Sequence, residues 1–579
     1  MNLRFICRVG RLAAIGAILL ASASCIKVDQ TLGENLIPTD DMWDVFPQEP
    51  VTLENIQLHM ADSLTGYSTS RFTFGAVNDD VLGTSIKSTS FTLVPLLDTI
   101  DFGKNTKIRQ FHFTAVRDTL STVYDNEQRI LQNVYVSELK KQLDSTIIYC
   151  SSFSNPEILN EYVDLSKKIT LGTPVYSGGD SLSFDFSLEY AEKVIKQIDL
   201  AQREGQMDSV SHFLNYLPGI YITTDTPAGP GGRINMFGLT LDNSQGYMAG
   251  NYAHLKITAE YDYSTEPVDT SFLFIFGPGE FVAVNDTTGA ITYPTQFALN
   301  TSDHESADMF KKGVRAEEKI YIEGGSGVKP VVKAEELKQI MEKQIAEAGI
   351  KDPTQVVVNK ATIILPYDVH GDYDLLDKYP TILSPTVRLR STDGNYVTYA
   401  GLTDSSISSE NQGDINRSLS LYSPDISHHV QEILNLDRSD ADYAKKIESY
   451  DIWFLILFEE TIKDTTAEDN SAYDNYAYNY YYNMMYDPYG YGYGGYGGYG
   501  GYGGYGGYGY GSGYGYGSNY YNYAMMSYLY SSMYNTGSND QISIELDKDR
   551  YYNAVLNGPL ADGAKPQFRV TFSAPKSAE

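Results

Sequence analysis

Short runs of alternating apolar and polar residues dominate the chain from about residue 51 onward. Phe111-His112-Phe113-Thr114-Ala115-Val116, Gln132-Asn133-Val134-Tyr135-Val136 and Ser181-Leu182-Ser183-Phe184-Asp185-Phe186 have the period of two expected of half-buried strands. Gly219–Ile222, Leu255–Tyr263, Phe272–Phe276, Ala361–Leu365, Val387–Arg390, Ile542–Leu546 and Gln567–Phe572 extend the series. Ile452–Phe458 has the continuous apolar character of a central strand. Turn chemistry falls between the runs, at Asn78-Asp79-Asp80 and Ser177-Gly178-Gly179-Asp180. Helical periodicity is confined to three places. Ser187 is placed to cap a helix running to about Ala201, with Leu188, Ala191, Val194, Ile195 and Ile198 on one face. Ala334–Ala348 carries Leu337, Ile340, Met341 and Ile345 inward and ends at Gly349, and a shorter helix starts near Ser427. The pattern predicts a mainly β protein: two β-sandwich or jelly-roll-like domains with a few packing helices. The expected division is 51–265 for the first domain and 266–579 for the second.

The second domain is interrupted at 470–540 by a Tyr/Gly-rich insertion that repeats Tyr-Gly and Tyr-Gly-Gly and holds 24 of the 49 Tyr. Glycine makes that backbone costly to order, and one ring type offers no interdigitating core, so it reads as a disordered loop. Its rings give it an apolar face and a hydroxyl with which to hold partners, glycans or itself. A tolerated, solvent-exposed expansion is the plain alternative.

Composition narrows the classes. The 579 residues exceed one ordinary domain, and 42% hydrophobic content is enough for sizeable cores. With 74 acidic against 43 basic residues the net charge is -31, which argues against nucleic acid as a partner. Eight His and three Cys leave little material for metal or nucleophile chemistry.

The N-terminus is the most specific signal. Arg4, Arg8 and Arg11 precede an apolar run from Leu12 to Ala23, about twelve residues where a spanning helix needs roughly 20. The run ends in Ser22-Ala23-Ser24-Cys25, which resembles the lipobox of bacterial lipoproteins, with Ser22 where Leu is usual. Residues 1–24 are thus expected to be a cleaved signal, Cys25 to be lipidated (a palmitate-type anchor) and 25–50 to form a tether. Lys27 and Asp29 partly resemble the surface-export signal that follows such a cysteine. The expected location is the outer membrane, with the cell-surface face favoured over the periplasmic one. Cleavage also removes Cys7, so Cys150 has no thiol partner and reads as a small buried hydrophobe.

Several blocks, in order along the chain, resemble a Bacteroidota outer-membrane lipoprotein family classed as a domain of unknown function. They are Leu32–Pro38, Gly75–Gly83, Leu217–Ile222, Ile320–Gly325, Asn359–Ala361 and Ala554–Pro559. The resemblance implies an exported, β-rich lipoprotein and brings no catalytic residues with it.

The remaining motifs are weak. Asp372, Asp374 and Asp377, with His370 beside them, offer oxygen ligands for Ca2+ but lack the EF-hand spacing and glycine, so a solvated acidic turn is favoured. His428 and His429 are adjacent on a helix and point apart. Gly324–Lys329 lacks the spacing of a phosphate loop, and no Gly-x-Ser-x-Gly elbow with a placed His occurs. No catalytic residue, cofactor or metal site is assigned. Triplets of Asp, Ser or Thr, and an apolar residue or Thr resemble the O-glycosylation motif of exported Bacteroidota proteins. They make Ser63, Thr99, Thr119, Ser145, Ser181, Ser209, Thr287 and Thr465 candidate acceptors. Three functions follow in order: a non-catalytic interaction or scaffold subunit of an envelope assembly, partnered with other outer-membrane proteins; a surface glycan-binding lipoprotein; and a hydrolase.

Overall fold

The computed structural model describes residues 43–576 apart from 62–63, 70, 119–130, 144–155, 243–248, 285–290, 306, 370, 372, 391–396, 408–410 and 463–540. It is mainly β, built of antiparallel sheets around two large hydrophobic cores, with few helices.

The first core lies between two sheets. In one, Gly83–Phe91 is flanked by Ile220–Thr223 and Ala298–His304, and also pairs with Arg71–Asp79. In the other, the order is Ser181–Asp185, Lys104–Val116, Tyr252–Glu260, Val268–Phe276, Leu93–Pro95. Alternation turns Phe111, Phe113, Phe184, Phe274 and Phe276 inward against Phe72, Phe74 and Phe91. Phe113 is central, stacked on Phe184 at 4.5 Å and on Phe276 at 4.6 Å between ring centroids. Truncating it opens a cavity that rigid strands cannot fill, so Phe113→Ala should cost about 3–5 kcal/mol in urea unfolding. The helix Leu188–Arg203 closes one side; Ser187 Oγ accepts from the Tyr190 N–H at 3.2 Å. Its buried face carries Ala191, Val194 and Ile198 as anticipated, whereas Leu188 in the first turn is exposed.

The second core is enclosed by the strands Trp43–Pro47, Gln567–Pro575 and Val357–Pro366 on one side and Gln57–Met60, Val328–Val332, Ile452–Ile462 and Ile382–Arg390 on the other. The helices Ala334–Glu347 and Ser427–Asn435 bring in Leu337, Met341, Ile345, Val430 and Ile433. Gly349 follows the first of these at φ +76°, the left-handed conformation that ends a helix at low steric cost.

Strand pairing runs across the expected boundaries at 50 and 265. Trp43–Pro47, within the expected tether, is an edge strand on Gln567–Pro575, and Gln57–Met60 pairs with Val328–Val331 of the second core. Val268–Phe276 and Ala298–His304, beyond the expected boundary at 265, pair with Tyr252–Glu260 and Gly83–Phe91 around the first core. Strand alternation reports which face is buried and says nothing about which strand lies alongside.

The insertion is bracketed as its flanks suggested. Ile452–Ile462 and Gln541–Leu546 pair antiparallel, with Ile462 opposite Gln541, so the segment leaves and re-enters at one point of a sheet edge. Its interior, like the signal segment and Cys25, lies outside the described residues. Among the described residues no helix is long and apolar enough to cross a membrane.

Candidate functional site

Where the two cores meet, the structure buries a set of charges that sequence reasoning did not single out. Lys87 lies mid-strand on Gly83–Phe91, and its neighbours Ser302 and His304 lie on Ala298–His304. From the other side come Glu323, Ser326 and Lys329, at the turn joining the strands Lys319–Glu323 and Val328–Val332. Asp547 and Asp549 follow the strand Gln541–Leu546 that closes the insertion. Each of these residues is less than a tenth exposed.

Glu323 is the hub. Its Oε1 accepts from Ser85 Oγ and lies 3.0 Å from His304 Nδ1, while His304 Nε2 lies 3.3 Å from Ser326 Oγ. Burial opposes the charge on Glu323, but His304 and the hydrogen bonds from His304 and Ser85 outweigh it and hold the carboxyl at about 2. Lys329 Nζ donates to three carbonyls, those of Glu323, Gly325 and Gly327. The Gly324–Gly327 turn therefore wraps a cation with its C=O groups, the opposite polarity to a phosphate loop. Lys87 Nζ donates to Ser302 Oγ at 2.5 Å, and burial lowers its pKa against the attraction of Asp549, Glu323 and Asp547. Asp549 accepts from Ser68 Oγ at 3.0 Å and Asn300 Nδ2 at 2.9 Å. Asn553 Nδ2 donates to Asp79 Oδ2 at 2.5 Å, and Lys548 reaches the Tyr67 carbonyl. Every one of these last contacts joins residues more than 240 positions apart in sequence, across the two cores.

Carboxylate, imidazole and hydroxyl at Glu323, His304 and Ser326 stand in the hydrogen-bonding order of a hydrolase triad. The surroundings differ from those of a nucleophile. Ser326 is 4% exposed, and a Cβ on Gly324 would run into the Arg550 carbonyl and the Tyr552 N–H, which leaves no space beside the turn. The nearby groove lined by Thr84, Ile86, Asp303 and Glu305 lies on the other face of the Ser85–His304 strand pair. The geometry joins two bodies through charge-assisted hydrogen bonds.

Burial pushes Lys329 down to about 7. In the unfolded chain a lysine titrates near 10.4. Between these values the unfolded state holds the proton that the folded state has released, so stability rises with pH across that window. We expect the urea midpoint to climb from pH 7 to pH 10, by up to about 1.4 kcal/mol per pH unit for this proton. Lys329→Met should remove that share of the slope.

The sequence-derived candidates fall elsewhere. Thr99 and Ser181 are exposed, as are Asp98 and Asp180 before them; Ser209 is half-buried and its Oγ accepts from the His212 N–H at 3.3 Å. Ser63, Thr119, Ser145, Thr287, Thr465, Cys150, His370 and Asp372 lie outside the described residues, as do the side chains of Asp374 and Asp377; the backbone there forms a 3-10 helix, Tyr373–Lys378. Among the described residues no group of three or more His, Cys, Asp or Glu is placed to hold a metal ion. His428 and His429 point apart. His429 is buried with Nε2 2.8 Å from the Tyr450 carbonyl, and burial lowers its pKa to about 4. His428 is exposed, 3.6 Å from Glu432. Asp404 accepts from both of their backbone N–H groups and so caps the helix Ser427–Asn435.

Three of the blocks that carry the family resemblance meet around the junction: Gly75–Gly83 supplies Asp79, Ile320–Gly325 supplies Glu323, and Ala554–Pro559 follows Asn553. Gly75 adopts φ +138° where a Cβ would meet the Arg233 carbonyl, so that strand pair requires glycine. Comparisons with protein-family models, with curated proteins and with solved structures return no match for this chain.

Proposed function

We propose that this chain is an exported lipoprotein, held at the outer membrane through acyl groups on Cys25, and that its β domains serve as a non-catalytic scaffold in an envelope assembly. The observation that carries the scaffold reading is the Ile462–Gln541 pairing, which closes a sheet around both ends of the Tyr/Gly-rich insertion. A hairpin anchored that way presents the insertion without asking it to contribute to a core. The strand leaving the insertion runs directly into Asp547–Asn553, so the display point is tied to the junction between the two cores. Other outer-membrane proteins are the partners this reading implies, and the cell-surface face is the favoured location.

Affinity isolation of the chain from detergent-extracted outer membrane tests it. Co-purifying membrane barrel proteins are the expected outcome; recovery of soluble glycan alone would replace the scaffold by the glycan-binding reading. The Ser326–His304–Glu323 order is the one observation on the side of a hydrolase, the last of the three readings. A fluorophosphonate probe separates the two: we expect no labelling, whereas labelling that Ser326→Ala removes would establish the enzyme.

The exposed acceptors Thr99 and Ser181 extend the proposal to O-glycosylation. The intact mass should exceed that of the acylated polypeptide, and Asp98→Ala and Asp180→Ala should each lower it by one glycan. A mass equal to the bare acylated chain would exclude modification.

A further inference from the structure

The sheet that carries the edge strand Trp43–Pro47 buries one face in the second core and opens the other to solvent. Phe568, Val570 and Phe572 of Gln567–Pro575, and Ala361, Ile363 and Leu365 of Val357–Pro366, point inward. The alternate residues therefore share the outer face: Arg569 and Thr571 on one strand, Lys360, Thr362 and Ile364 on the next. A groove of about 400 Å3 lies over them, its far wall formed by Leu421, Ser423, Asp425 and Asn411. This is within the size range of small-molecule sites.

The chemistry of the groove is specific. Thr362 stands opposite Arg569 and Lys360 opposite Thr571, so the two cations are diagonal neighbours on adjacent strands. Two basic residues converging in a concavity is a departure for a chain of net charge -31. Among the described residues, Arg569 has no acidic side chain within ion-pair distance, whereas Lys360 Nζ lies 3.9 Å from Asp425. Asp425 is itself held by the Ser427 N–H and hydroxyl. Hydroxyls from Thr362, Thr571 and Ser423 and the Asn411 amide surround the charges, and Ile364, Leu421 and the 67% exposed Leu419 supply an apolar shelf.

We infer that this groove binds a carboxylated saccharide of the uronic-acid type. A guanidinium meets a sugar carboxylate through two parallel hydrogen bonds. Ring hydroxyls match the hydroxyls of Thr362, Thr571 and Ser423 that line the groove, Ser423 Oγ accepting from Asn411 Nδ2 at 3.3 Å. The C–H face of a pyranose covers the apolar shelf. An extended peptide would seek an unpaired strand edge, and the strand Val357–Pro366 is paired with Gln567–Pro575 along one side and, at Thr362, Leu365 and Pro366, with Asp425 and Leu421–Tyr422 on the other.

Titration calorimetry of the full chain with galacturonate and glucuronate trisaccharides, against the corresponding neutral trisaccharides, tests the assignment. Saturable binding of a uronate form, at least tenfold tighter than its neutral counterpart, is expected. Arg569→Ala should weaken it at least tenfold and Arg569→Lys less, while the thermal transition of these surface variants stays unchanged. No uronate binding up to millimolar concentration, equal binding of neutral sugars, or tighter binding of a Glu-rich peptide or inorganic phosphate would overturn it. So would full affinity in both Arg569→Ala and Lys360→Ala.

Discussion

Glu323→Ala is expected to destabilise the protein by about 3–5 kcal/mol, the scale on which removing one partner of a buried charge pair is felt. Glu323 is fully enclosed, and its carboxylate is the anion that His304, Ser85 and the buried lysines share. Without it, Lys329 keeps its carbonyl cage but loses its nearest opposite charge, and Lys87 loses part of the attraction that offsets its own burial. Urea unfolding should show a lower midpoint. Because the junction ties two separate hydrophobic cores, a single transition is expected of the parent and two partly resolved transitions of the variant. Glu323→Gln keeps acceptors for Ser85 and His304 and should cost less. A loss below about 1 kcal/mol in Glu323→Ala would mean that the junction is not the element coupling the cores.

The second large effect concerns the anchor. Cys25→Ala should move the protein entirely from the membrane to the soluble fraction and abolish fatty-acid labelling. Each acyl methylene buried in the bilayer contributes about 0.8 kcal/mol, so several chains hold the protein firmly and their loss leaves nothing comparable. Membrane retention with unchanged labelling in the variant would refute lipidation at this residue.

The sequence made the secondary structure legible and the assembly much less so. Alternation located the strands around Phe113, Phe184, Ile363 and Val570, and the Ser187 cap located the longest helix, because those signals are local. Trp43–Met60 joins the second core although the chain continues from it into the first, and Val268–His304 stays with the first core beyond the expected boundary at 265. The junction was hidden for a related reason. In Thr84-Ser85-Ile86-Lys87-Ser88, alternation suggests that Ile86 faces inward and Lys87 outward; Ile86 is in fact half-exposed and Lys87 buried, since that face meets a second polar body rather than a core. Gly324–Lys329 is legible as a glycine-rich turn, but composition does not reveal whether N–H or C=O groups converge, and here three carbonyls converge on Lys329. The groove over Arg569 was likewise invisible, because its lining comes from four separated segments.

The scaffold account stands most directly on one deletion. Removing 472–538 and bridging the gap with a short Gly-Ser linker leaves the strands Ile452–Ile462 and Gln541–Leu546 joined by a loop of the eleven remaining residues and the linker. Loop length affects closure entropy only weakly, so the thermal transition should stay within a few degrees of the parent. Recovery of outer-membrane partners in affinity isolation should fall sharply, because the proposal assigns the contact to the tyrosine rings that the deletion removes. A shortened chain that fails to fold, or one that folds and retains every partner, would contradict the account.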